Sequence, residues 1–98
     1  MSSYVFETLD KIGRKIHLSK KQWAHITIIH PEMSNYLDEL ERTIKNPLKI
    51  ILHKAEDLRK YYSYLKHRKH PEKYLRVIVK YLNGDGFIIT AHFVTNIK

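Results

Sequence analysis

Lys73 to Val94 sets the terms for the rest of the chain. Two apolar runs, KYLRVIVKYL and FIITAHFV, flank Asn83-Gly84-Asp85-Gly86. An Asn/Asp–Gly cluster between strand-forming runs is the strongest short-range signal for a β-hairpin. Val77, Ile78, Val79, Tyr81, Ile88, Ile89 and Phe93 favour a pleated surface, and near-continuous hydrophobicity places such strands inside a sheet. Arg76, Lys80, Thr90 and His92 interrupt the runs. Polar groups on central strands must be paired or line a site, and the expectation is that they line one. Register decides whether they can share it. A turn of two or four residues opposes Thr90 to Val79 and His92 to Val77, with Arg76 and Lys80 on the other face. An odd loop or a glycine bulge near Gly84–Gly86 brings all four together. Sequence leaves both open.

Earlier in the chain, Tyr4 to Leu9 and Arg14 to Leu18 alternate apolar and polar residues around a turn at Asp10-Lys11-Ile12-Gly13, which predicts a first hairpin. Ser19-Lys20-Lys21-Gln22 forms a capping box, with the Ser19 hydroxyl on the Gln22 amide and the Gln22 side chain reaching back. Leu18 precedes the cap and is set to pack on Trp23. That helix must stop before Pro31. Ser34 is the expected cap of a second helix, whose stripe is Tyr36, Leu37, Leu40 and Ile44. Its acidic residues fall early and its basic residues late, as the helix dipole favours. Leu48–His53 and Arg59–Leu65 read as further strands, followed by the basic loop Lys66-His67-Arg68-Lys69-His70. The predicted order is β-β-α-α-β-β-β-β in one domain spanning 1–98. The fold class is α+β, an antiparallel sheet with helices over one face.

Eighteen Lys and Arg against ten Asp and Glu leave a net charge of +8. That charge points to a polyanionic partner, nucleic acid or an anionic membrane surface; solubility alone is the plainer account. The chain has 98 residues and no cysteine, so a modest core and a surface groove are expected. No disulfide, thiolate metal site or thiol nucleophile is available. The N-terminus lacks the pattern of a secretory signal, and no apolar run is long enough to span a bilayer. The expectation is a soluble, cytoplasmic protein without a membrane partner.

Seven histidines raise the question of a metal. His25 and His30 stand five apart, about 140° around a helix, and no HExxH or Cys–His pattern occurs. No metal or cofactor is expected. Cleavage of RNA by its own 2′ hydroxyl needs only a base, an acid and cations around the phosphate, which His, Tyr, Lys and Arg supply. Tyrosines among basic residues can also stack bases; as ordinary strand aromatics they need no such role. Composition does not separate a nuclease from a plain RNA binder.

The run Trp23-Ala24-His25-Ile26, then His30-Pro31-Glu32, Asn46-Pro47, Arg59 with Tyr61-Tyr62, Lys73-Tyr74-Leu75 and Phe87-Ile88-Ile89-Thr90-Ala91 resembles the phage-associated nuclease-like group of the barnase–EndoU–colicin–RelE superfamily. The likeness covers roughly Arg14 to Thr95. It implies a barnase- or RelE-like fold: helices packed on an antiparallel sheet whose open face carries a metal-independent endoribonuclease site. It also implies a toxin or effector role, with RNA as substrate and an acidic antitoxin or immunity protein as a partner. Carried over residue by residue, the resemblance assigns the catalytic part to His25, His30, Arg59 and Thr90; Tyr62, as a proton donor or stacking ring, and His92, as this protein's own acid–base group, complete the catalytic candidates. Of these, His92 departs from the family pattern, and His30 has a second account as a cap beside Pro31. Lys66, Arg68, Lys69, Arg76 and Lys80 are the nucleic-acid-binding candidates. The alternative is a non-catalytic nucleic-acid-binding module on the same scaffold.

Overall fold

A computed structural model describes residues 3–97. It contains β1 (Tyr4–Leu9), β2 (Lys15–Ser19), α1 (Lys20–Ile29), α2 (Leu37–Lys45), β3 (Lys49–His53), β4 (Leu58–Tyr64), β5 (Tyr74–Leu82) and β6 (Asp85–Val94). Two 3₁₀ segments that the sequence did not announce, Pro31–Asn35 and Lys54–Glu56, precede α2 and β4. The strands form one sheet in the order β1-β2-β6-β5-β4-β3.

The terminal hairpin forms where Asn-Gly predicts it. Asn83 and Gly84 both take left-handed φ, 55° and 87°, as a primed two-residue turn requires. Leu82 opposes Asp85 and Val79 opposes Ile88; the register then shifts, so that Ile78 pairs with Thr90 and Arg76 with His92. Ile89 is the extra residue of a bulge, and it settles the question the sequence left open. In the other hairpin, Asp10 shapes the turn by accepting the Ile12 and Arg14 amides on Oδ1, at 3.0 and 2.9 Å. Gly13 supplies the positive φ.

The antiparallel sheet expected from sequence is corrected to a mixed one. β2 runs parallel to β6 at Ile16↔Gly86 and His17↔Phe87. Gly86 explains how β2 gets so close: a Cβ there would stand 2.5 Å from Ile16 Cδ1 and 2.8 Å from Val79 Cγ1. His17 fastens the joint from the other face. Its Nε2 pairs with Asp85 Oδ2 at 3.0 Å, and Glu7 Oε2 stands 3.1 Å from Nδ1, off the line of a hydrogen bond. The ring is buried between Tyr4 and Phe87.

Ser19 caps α1 through the Gln22 amide at 3.0 Å. The reciprocal half of the capping box is absent, because the Gln22 side chain donates to the Ile89 carbonyl instead. Beyond Phe87, therefore, α1 takes the place of β2 beside β6. Ser34 does not cap α2: it lies in the 3₁₀ segment and donates to Pro31 O at 2.9 Å. The second helix starts at Leu37 behind Tyr36, which makes no side-chain cap bond.

Cross-strand partners share a face of a sheet, so register assigns the two sides. Tyr61, Val77 and Ala91 form one row, buried with Ile16, Leu18, Ile26, Leu40, Ile44, Leu75, Val79 and Ile88 beneath the helices. Trp23 packs on the same core.

Candidate active site on the open face of the sheet

The opposite face presents a second row, Lys49–Tyr62–Arg76–His92, drawn from four successive strands. The next row is Ile51–Lys60–Ile78–Thr90. Arg76, His92, Thr90 and Lys60 are partly exposed, whereas Tyr62 is fully buried. His30, just past α1, stacks on His92 with ring centroids 5.1 Å apart. This contact follows from the path of α1: held against β6 at Gln22, the helix ends beside the far half of that strand.

Arg76 Nε donates to His92 Nε2 at 3.1 Å, and Nη2 stands 2.5 Å from the same nitrogen. A guanidinium has only donors, so Nε2 must accept, and the ring is neutral with its proton on Nδ1. That Nδ1 is buried without a hydrogen-bond partner. Burial, then the charge of Arg76, then His30, hold the His92 pKa down to about 4. At neutral pH His92 is therefore no proton donor of the imidazolium kind. It aims the Arg76 guanidinium.

The His30 side chain is 31% exposed, with Glu32 Oε1 3.8 Å from its Nδ1. His30, Glu32, His70, Glu72, Arg68 and His92 line a cleft of about 400 Å³. Arg68 serves the wall of this cleft. Its guanidinium carbon sits 3.7 Å from the Phe93 ring centroid, Nη1 donates to Glu72 O, and its side chain is only 7% exposed.

The structure thus joins His30, His92, Arg76, Tyr62, Thr90 and Lys80 on one face, with Arg68 in the wall of the cleft, and sets Arg59, His25, Lys66 and Lys69 apart. Arg59 pairs with Leu52 and Val79, which puts it on the helix side, because Tyr61 two residues later points inward. His25 is exposed on α1, and its side chain makes no hydrogen bond or ion pair among the described residues. Lys66 and Lys69 stand exposed on the loop between β4 and β5. Lys80 shares the open face near the turn, where its Nζ donates to Glu56 O. Sequence reasoning missed His70 and Lys60 as members of the site. No spacing rule announces a loop histidine folded back toward a helix end, and Lys60 was hidden in an aromatic run.

Among the described residues, no group of three or more His, Asp or Glu is placed to hold a metal ion, and no helix is long and apolar enough to cross a membrane.

One pH effect follows from His92. Its folded pKa lies below its unfolded value near 6.5, so between these pH values the unfolded chain binds more protons and folding weakens as pH falls. His92→Asn keeps an acceptor for Arg76 and does not titrate. The melting temperature of the parent should fall relative to that variant from about pH 6.5 to about pH 4, and the difference should be flat above. Parallel curves would remove the assignment.

Over residues 6–98 the chain matches the family model described as phage-Barnase-EndoU-ColicinE5/D-RelE like nuclease2. No curated protein and no solved structure matches.

Proposed function

From the chain's membership of this nuclease-like family, we propose that it is a metal-independent endoribonuclease acting through the cleft at His30, His92 and Arg76. The convergence of these three groups, from the end of α1 and from β5 and β6, is the observation that carries the reading. His30 takes the proton of the ribose 2′ hydroxyl. The 2′ oxygen attacks phosphorus, the bond to the 5′ oxygen breaks, and His70 across the same cleft returns a proton to the leaving oxygen. Arg76, held by neutral His92, meets the phosphate as charge builds on it, where a fixed cation contributes most. Lys60, one row away, adds to the positive field. Thr90 lies in the same row as Lys60, on β6, as a further hydrogen-bonding group.

This reading extends to a toxin or effector role, with an acidic inhibitory protein covering the cationic face. Normal growth of a host expressing an RNA-cutting chain alone would separate the toxin role from the activity.

A second reading, a nucleic-acid-binding module without catalysis, is favoured by one observation: both nitrogens of His92 are occupied or buried. Labelled RNA incubated with the protein and excess chelator decides between them. The nuclease gives fragments ending in 2′,3′-cyclic phosphate and spares a 2′-deoxy copy. The binder retains RNA without cutting, and retention weakens steeply with salt. Cleavage only after divalent metal is supplied would overturn the metal-free mechanism.

A further inference from the structure

The helix-side face carries a second cationic cleft that the mechanism above does not use. It measures about 180 Å³ and is lined by Arg14, Arg59, Tyr81, His53, Lys54 and Asp57, with Leu52 and Leu58. Its parts come from the residue before β2, the end of β3, the β3–β4 connection, β4 and the end of β5. The guanidinium carbons of Arg14 and Arg59 lie 5.0 and 4.8 Å from the centre of the Tyr81 ring. An aromatic face attracts a cation, but it does not neutralise two of them. Neither arginine has a carboxylate within ion-pair distance among the described residues. Lys54 adds a third cation against the lone carboxylate of Asp57. His53 borders the cleft from the end of β3, but it pairs with Leu58 and so belongs to the row of Lys80, and its Nε2 is buried.

The cluster is held rigidly from below. Tyr81 and Tyr61 share a hydrogen bond between their hydroxyls, and Tyr61 donates to Asp10 Oδ2 at 3.1 Å. Asp10 is buried, and through Oδ1 it fixes the Arg14 amide. One carboxylate therefore sets both the ring and the strand that carries the first arginine. Three cations over one lining carboxylate, Asp57, and one buried beneath, Asp10, keep an excess of positive charge that fits an anion with several acceptor oxygens, since planar guanidinium forks match phosphate oxygens.

We propose that this cleft is a phosphate-binding site: it takes a phosphate group between Arg14 and Arg59, with Lys54 completing the contacts. It lies on the opposite face from His92, and it stands whether or not the chain cleaves RNA. The phosphate can be inorganic or the 5′-terminal group of a nucleic acid strand; the chemistry at the cleft is the same.

The test is an NMR titration of the full chain with inorganic phosphate against chloride at matched ionic strength. Arg14, Arg59, His53 and Tyr81 signals should shift saturably with phosphate alone. Arg59→Gln should weaken binding at least tenfold, Arg59→Lys by less, and Lys45→Gln, on α2 outside both clefts, should leave it unchanged. Equal shifts with chloride, no saturation in the parent protein, or full affinity in both Arg59 variants would overturn the proposal. A 5′-phosphorylated 2′-deoxytrinucleotide that competes with phosphate, while its unphosphorylated copy does not, identifies a strand end as the source. Failure of both to compete identifies free phosphate. A negative RNA digest leaves these outcomes untouched, because none of them reads cleavage.

Discussion

Gly86→Ala should lower the melting temperature of the protein by on the order of 5–20 °C, the equivalent of about 1–3 kcal/mol for overfilling a packed core. The new methyl would enter the space held by Ile16 Cδ1, Val79 Cγ1 and Tyr81 Cε1, with approaches of 2.5, 2.8 and 3.1 Å. Ile16 and Val79 are fully buried, so neither can swing outward without opening the core. Relief would come from drawing β2 away from β6 at Ile16↔Gly86 and His17↔Phe87, where the two strands pair. Gly84→Ala is the informative contrast. It meets no atom within 4 Å, and its cost is the strain of φ 87° alone. Thermal unfolding of the three proteins checks the comparison; a Gly86→Ala variant as stable as its parent would show that the β2–β6 joint is not tightly packed.

His30→Ala should reduce RNA cleavage by about 10²–10⁴-fold, the usual contribution of one positioned acid–base group. Single-turnover rates measured with excess chelator read the effect. Arg76→Lys should also lose rate, because an ammonium keeps the charge but cannot hold His92 and a phosphate with one planar fork. The two variants differ in a further readout. Loss of His30 should flatten the acidic limb of the pH–rate profile, whereas Arg76→Lys should keep its shape at a lower level. If His30→Ala cleaves at the parent rate, the proton passes through another group and the assignment fails.

The local chemistry of this chain was legible, and its long-range pairings were not. Asn83-Gly84 specifies its turn because few other residue pairs tolerate two left-handed positions, and Ser19 declares α1 by satisfying a free amide. The family was also readable from sequence, since the motif order spans nearly the whole chain. The bulge at Ile89 was beyond reach: the same residues suit either register, and packing under the helices chose between them. The parallel union of β2 with β6 had no sequence signal beyond a glycine that reads equally well as part of a turn. Ser34 looked like a cap, but Pro31 begins a 3₁₀ turn that consumes its hydroxyl. Arg59 lies on the helix side because it shares a face with Tyr61, whose inward direction depends on pairing with Val77, and its own segment does not encode that pairing.

His17 and Asp85 meet across 68 positions of sequence, so the two ends of the molecule are knotted together by a clasp that no local segment can supply. The C-terminal meander alone holds Arg76 and His92, but the imidazole that stacks on them arrives with a helix steered by that clasp. A fragment beginning after the first thirty residues would keep the cationic floor and lose the roof. Completeness of the cleft is a property of the entire polypeptide.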